Sequence, residues 1–285
     1  MELKLENITH CYGDIKALDD VTLQLTPGIY ALLGPNGAGK STMMKLLTMN
    51  LVPTKGSIYL DGQKIQTMKE KYRSLIGYMP QQQGMYESFR VDRFLAYMGA
   101  LKGMKKNEID QEIDRVLQLV NLSDCRKRKI STFSGGMKQR LLIAQAIMNQ
   151  PQIIILDEPT AGLDPKERIR IRNIVSKIAK DKIVLFATHV VSDIEHIAKE
   201  VILLKKGKVI AINSVSRLCQ QLEHQVFEIP WKEEHFLKEE WTISQYVVRS
   251  DGRFIRIISK HQEIGKEVSP TLEDVYLSFF QQEER

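Results

Sequence analysis

Gly34-Pro35-Asn36-Gly37-Ala38-Gly39-Lys40-Ser41 is the stretch of this sequence that decides its fold. It matches the phosphate-binding loop pattern in full, from the first glycine to the Gly-Lys-Ser that ends it. An apolar run at residues 29–33 precedes the loop and predicts a strand, and residues 39–49 predict a helix. A strand, a loop and a helix in this order are the context that the pattern requires, so the sequence predicts a phosphate site here.

The residue types of this loop suit the phosphates of magnesium-bound ATP. Glycines let backbone N–H groups approach phosphate oxygens closely, and the positive end of the following helix points at the same oxygens. Lys40 supplies a mobile positive charge for the β- and γ-phosphates. Ser41 offers a hydroxyl to Mg²⁺, and Thr42 offers a further phosphate contact. We therefore predict that residues 34–42 bind ATP and Mg²⁺.

A second signal lies at residues 153–158, where Ile-Ile-Ile-Leu is followed at once by Asp157 and Glu158. The apolar residues predict a buried strand, and the carboxylates emerge at its carboxyl end, where parallel sheets bind ligands. Asp157 is suited to hold the hydration shell of Mg²⁺, and Glu158 is suited to polarise an attacking water. Together with the loop at Lys40, this pair predicts an ATPase.

Most of the chain alternates strands with helices, which is typical of an α/β fold with helices around a largely parallel sheet. Residues 1–33 predict strands and turns, and residues 84–130 predict a helical insert. After the strand at 153–156 we expect a helix at 165–179, a strand at 183–187 and then another helix.

The segment after Ser214 has a different character and predicts a small α+β appendage. Short strands are expected at 226–229, 243–249 and 254–258. A last helix is expected to open with Ser269 as its cap and Pro270 at its first helical position.

Composition and charge limit the class of protein. The chain has 285 residues, of which 43% are hydrophobic and 27% charged, a globular balance. No apolar run approaches the roughly 20 residues that span a bilayer, and the amino terminus lacks a signal-peptide core, so we expect a soluble chain. Three widely spaced cysteines predict neither a disulfide framework nor a metal site. The net charge of +6 is too small to choose between nucleic acid, membrane surface and phosphate ligands.

Phe133-Ser134-Gly135-Gly136-Met137 places a hydroxyl and two glycines at the start of an apolar helix, a second anion-binding helix end. Residues 2–213 thereby resemble the ATP-binding subunits of ABC transporters, whose signature is usually Leu-Ser-Gly-Gly-Gln. Phe133 and Met137 depart from that pattern, so no contact of the usual glutamine is carried over.

The resemblance implies a P-loop NTPase fold with an antiparallel N-terminal β-subdomain and a mostly parallel core sheet. The ATP-binding domain would cover residues 1–213, with a helical subdomain at about 84–150. Residues 214–285 would form a small C-terminal accessory domain.

The resemblance also implies that the protein works as a dimer. Ser134, Gly135 and Gly136 of one subunit would cap the ATP held by a second copy, in a head-to-tail arrangement. The loop Gly162-Leu163-Asp164-Pro165 resembles the one that crosses the dimer interface.

Three further residues resemble members of the family's ATP site. Tyr12 resembles the aromatic residue that stacks on adenine, and His189 resembles the switch histidine that contacts the γ-phosphate. Gln81 resembles the glutamine that senses Mg²⁺ and links to the membrane subunit. Gln82 and Gln83 leave that last assignment open, with Gln81 preferred.

The function that the resemblance implies is to energise a separate membrane-spanning transporter subunit from the cytoplasmic face of the cell membrane. The end of the chain, from Ser269 onward, resembles the tail of ATPase subunits from bacterial exporters of drugs, antibiotics and peptides. No nucleic-acid partner is expected. A soluble ABC-type ATPase acting on DNA or ribosomes is the alternative, although the second nucleotide domain, coiled-coil arm or zinc-binding cysteines usual in such proteins are not visible. A regulator that does not hydrolyse ATP is a further alternative, against which Glu158 and His189 speak.

Overall fold

The computed structural model describes residues 1–81, 84–238, 240–260 and 265–280. The chain divides into two compact units, Met1–Ile212 and Asn213–Arg285. Within the four described ranges, no helix has the length and apolar character that crossing a membrane requires.

The first unit contains two sheets and the helices that cover them. Its strands are β1 (Leu3–Tyr12), β2 (Ile15–Leu25), β3 (Gly28–Leu33), β4 (Lys55–Leu60), β5 (Gln63–Lys64), β6 (Ile76–Met79), β7 (Ile153–Asp157), β8 (Ile183–Thr188), β9 (Glu200–Lys205) and β10 (Lys208–Asn213). Its helices are α1 (Lys40–Leu47), α2 (Ile65–Met68), α3 (Glu70–Ser74), α4 (Val91–Leu101), α5 (Lys106–Leu119), α6 (Gly135–Ala146) and α7 (Pro165–Ile178).

The amino-terminal sheet has the strand order β2-β1-β4-β5, and its neighbouring strands run antiparallel. Leu3 and Leu5 on β1 are fully buried and are separated by the half-exposed Lys4, which is the alternation of a sheet with one covered face. Val21, Leu23 and Leu25 of β2 repeat this pattern. The predicted antiparallel β-subdomain is confirmed.

The second sheet has the order β10-β9-β3-β8-β7-β6, and the strands from β9 to β6 run parallel to one another. Every residue of β7 and β8 is buried, as expected for parallel strands that are covered on both faces. The mostly parallel core sheet is therefore confirmed. Its parallel strands bring the end of β3 and the end of β7 to the same edge, where the phosphate-binding loop meets Asp157.

The helix expected directly after β8 is absent from the described residues, and that prediction was wrong. The chain instead forms a short 3-10 turn at Val191–Asp193, followed by irregular turns. Two adjacent β-branched residues, Val190 and Val191, disfavour a regular helix at this point. A hydrogen bond from the Thr160 side chain to the Asp193 side chain also stabilises this turn. It is a tertiary contact, which local helix propensity does not predict.

The second unit contains one antiparallel sheet of order β12-β13-β11-β14 and two helices. Its elements are α8 (Val215–Gln220), β11 (Val226–Pro230), β12 (Thr242–Arg249), β13 (Gly252–Ile258), β14 (Lys266–Glu267) and α9 (Leu272–Phe280). Phe227, Ile229, Trp241, Ile255 and Ile257 form its core.

The last helix begins later than Ser269 and Pro270 predict, so that start was placed wrongly. Helix α9 starts at Leu272, and Thr271 lies at the cap position. The Thr271 hydroxyl accepts a hydrogen bond from the Asp274 N–H, and the Asp274 carboxylate accepts from the Thr271 N–H, a reciprocal capping pair. Burial alone would raise the pKa of Asp274, but hydrogen bonds from Arg256, Ser244 and Thr271 hold it below its ordinary value.

The end of helix α6 is held by a partly buried lysine. Lys102 Nζ donates to the carbonyl oxygens of Ala146 and Met148, at 3.0 Å each. Such donors satisfy carbonyl groups that a helix leaves unpaired at its carboxyl end. Burial lowers the pKa of Lys102 to about 8, and the Glu112 carboxylate opposes this shift.

This lowered pKa predicts a pH-dependent stability with a definite sign. Below pH 8 both the folded and the unfolded chain carry the Lys102 charge, so the cost of burying it is fully present. Between about pH 8 and the ordinary value of 10.5, the unfolded chain binds the proton more tightly, and stability rises with pH. Relative to a Lys102→Met variant, the parent should gain on the order of 1–3 kcal/mol of unfolding free energy from pH 7.5 to pH 10.

Urea titrations followed by circular dichroism at several pH values measure that difference. Both tryptophans, Trp231 and Trp241, lie in the second unit, so their fluorescence follows the unfolding of that unit separately. A difference between the two proteins that stays constant or falls as pH rises would contradict the prediction.

Candidate nucleotide-binding site

A cavity of about 170 Å³ lies at the carboxyl edge of the parallel sheet. Its lining residues are Ala17, Asn36, Gly37, Gly39, Lys40, Ser41, Thr42, Gln81, Asp157 and Glu158. The fold thus brings together the loop after β3, the end of β6 and the end of β7, which are far apart in the sequence. Ala17 is the one lining residue that sequence reasoning missed, because a small apolar residue on a strand carries no motif.

The loop between β3 and α1 has a shape that only glycine permits at two positions. Gly39 precedes α1 in a left-handed conformation with φ 108°, and a Cβ there would lie 2.5 Å from the Ala17 carbonyl oxygen. At Gly34 a Cβ would lie 2.2 Å from the Leu204 carbonyl oxygen. The backbone can therefore pass close to neighbouring carbonyls, as a loop that binds phosphate through its N–H groups requires.

Lys40 places a buried cation at the centre of this loop. Its Nζ donates to the carbonyl oxygens of Gly34, at 2.6 Å, and Pro35, at 3.1 Å. Burial lowers the pKa of the Lys40 ammonium, and the nearby Glu158 and Asp157 carboxylates oppose that shift. A desolvated cation of this kind gains free energy when an anion enters the cavity.

Oxygen donors face this cation across the cavity. Burial raises the pKa of Asp157, and the adjacent Glu158 carboxylate adds to the shift, while Lys40 and the backbone N–H of Gln81 oppose it. A divalent cation would compensate two carboxylates held this close together. The Ser41 hydroxyl, the Gln81 amide oxygen and the Asp157 carboxylate are hard oxygen donors of the kind that Mg²⁺ prefers.

Glu158 lines the cavity and pairs with His189, which is not one of the lining residues. His189 Nδ1 lies 3.0 Å from the Glu158 carboxylate; Glu158 is only 6% exposed, whereas the His189 side chain is 56% exposed. Glu158 has a left-handed backbone with φ 51°, an uncommon conformation that its surroundings must maintain. The carboxylate and the imidazole are in direct hydrogen-bond contact, so a water or a phosphate oxygen would bind beside the pair rather than between the two groups.

The remaining candidate residues lie outside this cavity. Tyr12 ends β1 with 45% of its side chain exposed, and its ring packs edge-on against His10 with the centroids 4.9 Å apart. Ser134 caps helix α6, where its Oγ accepts a hydrogen bond from the Met137 N–H at 3.3 Å. Gly135 and Gly136 begin the same helix, and none of the three lines the cavity. Gln82 and Gln83 lie outside the described residues.

Gln81 also borders a second, larger opening. This groove of about 810 Å³ is lined by Gln81, Gly84, Met85, Glu87, Gly135, Lys138, Gln139 and Leu142. In the same helical insert, Tyr86, Phe89 and Tyr97 are between 37% and 47% exposed, and the Tyr86 ring contacts the other two. Clustered exposed aromatic residues are typical of binding surfaces.

Comparison with known proteins shows that this chain is similar in sequence to several ATP-binding proteins. The family model described as "ABC transporter" matches residues 18–161. An ABC transporter ATP-binding protein of Bacillus subtilis is 35% identical over 256 residues, which are 89% of this chain and 85% of the relative. The bacitracin transport ATP-binding protein of Bacillus licheniformis is 32% identical over 93% of this chain and 87% of its own length. The linearmycin resistance ATP-binding protein of Bacillus subtilis is 34% identical, with coverages of 77% and 71%.

Solved structures agree with these relatives. An ATP-binding subunit of an ABC transporter superposes with a TM-score of 0.69 at 27% identity, covering 78% of this chain and 93% of the other. A dimeric ATP-binding cassette in a post-hydrolysis state with ADP and Pi superposes with a TM-score of 0.66 at 28% identity. It covers 74% of this chain and 98% of the other.

Proposed function

Because this chain belongs to the ABC transporter family and is an ATP-binding, ATP-hydrolysing subunit, we propose that it energises a separate membrane-spanning subunit through a MgATP-driven dimer. The observation that carries this proposal is the cavity in which Lys40, Asp157 and Glu158 meet. In this proposal residues 1–213 form the ATP-binding domain, and residues 214–285 form an accessory domain.

Each candidate residue has a proposed role that its position supports. Residues 34–42 cradle the phosphates with backbone N–H groups, and Lys40 turns from its carbonyl partners to the β- and γ-phosphates. Ser41, Gln81 and Asp157 would hold Mg²⁺, which would supply positive charge to balance the charge that develops on the phosphate oxygens. Tyr12 stacks on the adenine ring. The exposed face of Tyr12 supports this assignment.

Hydrolysis needs a water placed in line with the γ-phosphate and a group that polarises it. Glu158 serves as that base, because its carboxylate is buried beside the cavity. His189 contacts the γ-phosphate and reports its presence, and its accessible ring 3.0 Å from Glu158 supports this role.

A second copy of the chain completes the site. Ser134, Gly135 and Gly136 start a helix whose positive end suits a phosphate, yet they lie outside the cavity of their own chain. In a head-to-tail dimer they cap the ATP of the other copy, and residues 162–165 cross the interface. A solved relative that is dimeric with ADP and Pi supports this arrangement.

Replacing Ser134 with arginine tests the composite site. The bulky cation should block closure of the dimer and lower the ATP hydrolysis rate by at least about tenfold, while nucleotide binding at Lys40 stays unchanged. Steady-state hydrolysis and equilibrium nucleotide binding measure the two effects. Ser176→Arg, an exposed position on helix α7, is the matched control. If Ser134→Arg alone hydrolyses ATP at the parental rate, the signature takes no part in hydrolysis.

The membrane subunit is proposed to dock on the helical insert. The groove beside Gln81 offers it both polar and apolar side chains, and the cluster of Tyr86, Phe89 and Tyr97 adds exposed aromatic rings. Gln81 also lines the ATP cavity. Movement of the docked subunit would thereby be linked to the presence of Mg²⁺ and the γ-phosphate. This docking would place the chain at the cytoplasmic face of the membrane.

Export of a drug, an antibiotic peptide or a similar compound is the proposed direction of transport. The relatives named for bacitracin transport and linearmycin resistance support it. Co-expression with the membrane protein of the neighbouring reading frame tests the proposal. We expect the two to co-purify and the pair to move its compound across vesicle membranes only with MgATP. Failure to associate, or transport without ATP, would contradict it.

A further inference from the structure

Two loops at the ends of neighbouring parallel strands carry the pair Glu158 and His189, and they are joined at a second point. The hydroxyl of Thr160 donates to Asp193 Oδ2 at 2.6 Å. Thr160 follows Glu158 by two residues, and Asp193 follows His189 by four. Both bonded side chains are only 1% exposed, so this is a bond between buried groups.

Each loop is held rigidly around its bonded side chain. On the Glu158 loop, the Ala161 N–H donates to the Glu158 carbonyl oxygen at 3.2 Å, so Thr160 lies in the same tight turn as Glu158. On the His189 loop, the Thr188 hydroxyl accepts from the Val190 N–H at 3.0 Å, and the Asp193 N–H donates to the Val190 carbonyl at 3.2 Å. A shift of Thr160 or Asp193 is therefore transmitted to the catalytic side chain of its loop.

Helix α7 braces the same turn from one side. Arg168 has a guanidinium nitrogen 4.0 Å from Asp193 Oδ1, and Arg172 donates to the Ser192 carbonyl oxygen at 2.6 Å. These contacts hold the 3-10 turn at Val191–Asp193 in place but make no bond to the Glu158 loop. Between Thr160 and Asp193, by contrast, the bond joins the two loops directly.

Stability alone does not require a buried carboxylate at this place. An apolar pair of similar volume often stabilises a fold as well as a buried polar pair does, whereas a hydrogen bond fixes distance and direction. Glu158 needs such fixing because its backbone is left-handed, and His189 needs it because packing leaves more than half of its side chain exposed.

We propose that the Thr160–Asp193 hydrogen bond is a positioning element: it keeps the Glu158 carboxylate at its hydrogen-bond distance from His189 for ATP hydrolysis. The inference rests on the proposed roles of Glu158 and His189. Neither Thr160 nor Asp193 lines the cavity, so both act through those two residues. Misplacement of a reacting group by about 1 Å costs on the order of a hundredfold in rate, which sets the upper scale of the effect.

The test compares Thr160→Val, which keeps the shape and removes the hydroxyl, with Thr160→Ser, which keeps the hydroxyl. Thr160→Val should lower kcat by about tenfold and change ATP affinity by less than about twofold, because the phosphate-binding loop is untouched. Thr160→Ser should recover most of the rate. Thr67→Val is the matched control, since the Thr67 hydroxyl makes a hydrogen bond to the Lys64 carbonyl oxygen on a different element.

A double-variant cycle separates positioning from a general structural role. Adding Thr160→Val to a Glu158→Gln chain should slow it by less than about twofold, because the bond acts through a carboxylate that is already gone. A general loss of structure would instead slow the Glu158→Gln chain by the same tenfold factor, and that result would overturn the inference.

Two further outcomes are decisive. A Thr160→Val chain with the parental kcat overturns the inference while leaving the proposed function intact, whereas a parent that does not hydrolyse ATP overturns both. If Thr160→Val does not fold, the double variant Thr160→Val with Asp193→Leu replaces the bond by an apolar contact and takes its place. We expect it to fold and to hydrolyse ATP about tenfold more slowly, and a parental rate would overturn the inference.

Discussion

Replacing Lys40 with alanine is expected to lower the affinity for MgATP by at least about a hundredfold. The ammonium lies in the phosphate-binding loop, where its hydrogen-bond partners are the Gly34 and Pro35 carbonyls. Charge-assisted contacts to phosphate are the strong class of hydrogen bond, and a hundredfold loss corresponds to about 3 kcal/mol. Asp157 and Glu158 make the loss larger, because without the lysine they face the phosphates as uncompensated negative charges.

The fold should survive this substitution. Helix α1 is held by the buried side chains Met43, Met44, Leu46 and Leu47, and alanine favours a helix. Isothermal titration with MgATP measures the affinity, and circular dichroism verifies the fold. Lys71→Ala, an exposed helical lysine on α3, is a control with the same loss of charge. Equal affinities of Lys40→Ala and the parent would remove Lys40 from the binding site.

The parts of the site that the sequence predicted are those that depend on residues close together in the chain. The glycine spacing around Lys40 reflects backbone shape within eight residues, and the strand before Asp157 is a plain apolar run. Parallel pairing then brings the two to one edge of the sheet, so their meeting follows from the fold class. Both elements could be predicted because a short stretch of sequence contains all the residues that determine their local structure.

The parts that escaped prediction depend on contacts between distant segments. Thr160 and Asp193 are 33 residues apart and belong to no motif, so their bond has no signature in the sequence. The wrongly expected helix after β8 has the same origin, because that bond and the bracing by α7 fix a 3-10 turn there. The hairpin-forming strands β9 and β10 were not anticipated either, since short apolar runs resemble strands and helices equally.

Replacing Glu158 with glutamine is expected to slow ATP hydrolysis by roughly 10² to 10⁴-fold, the usual contribution of a general base. Glutamine keeps the size and the planar end of the side chain but cannot take a proton from water. The P-loop contacts around Lys40 are unchanged, so MgATP should still bind. Single-turnover hydrolysis measures the loss, and Glu70→Gln, an exposed glutamate on α3, is the matched control.

The same variant has a second expected property that links hydrolysis to dimer formation. If two copies close around two ATP molecules and open only after hydrolysis, a chain that binds but does not hydrolyse ATP should accumulate as the closed dimer. Size-exclusion chromatography with light scattering should then show a Glu158→Gln dimer in MgATP and a monomer in MgADP. Lys40→Ala should stay monomeric under both conditions, because it lacks the phosphate contacts that closure needs. A Glu158→Gln chain that remains monomeric at saturating MgATP would count heavily against a composite site shared between two copies.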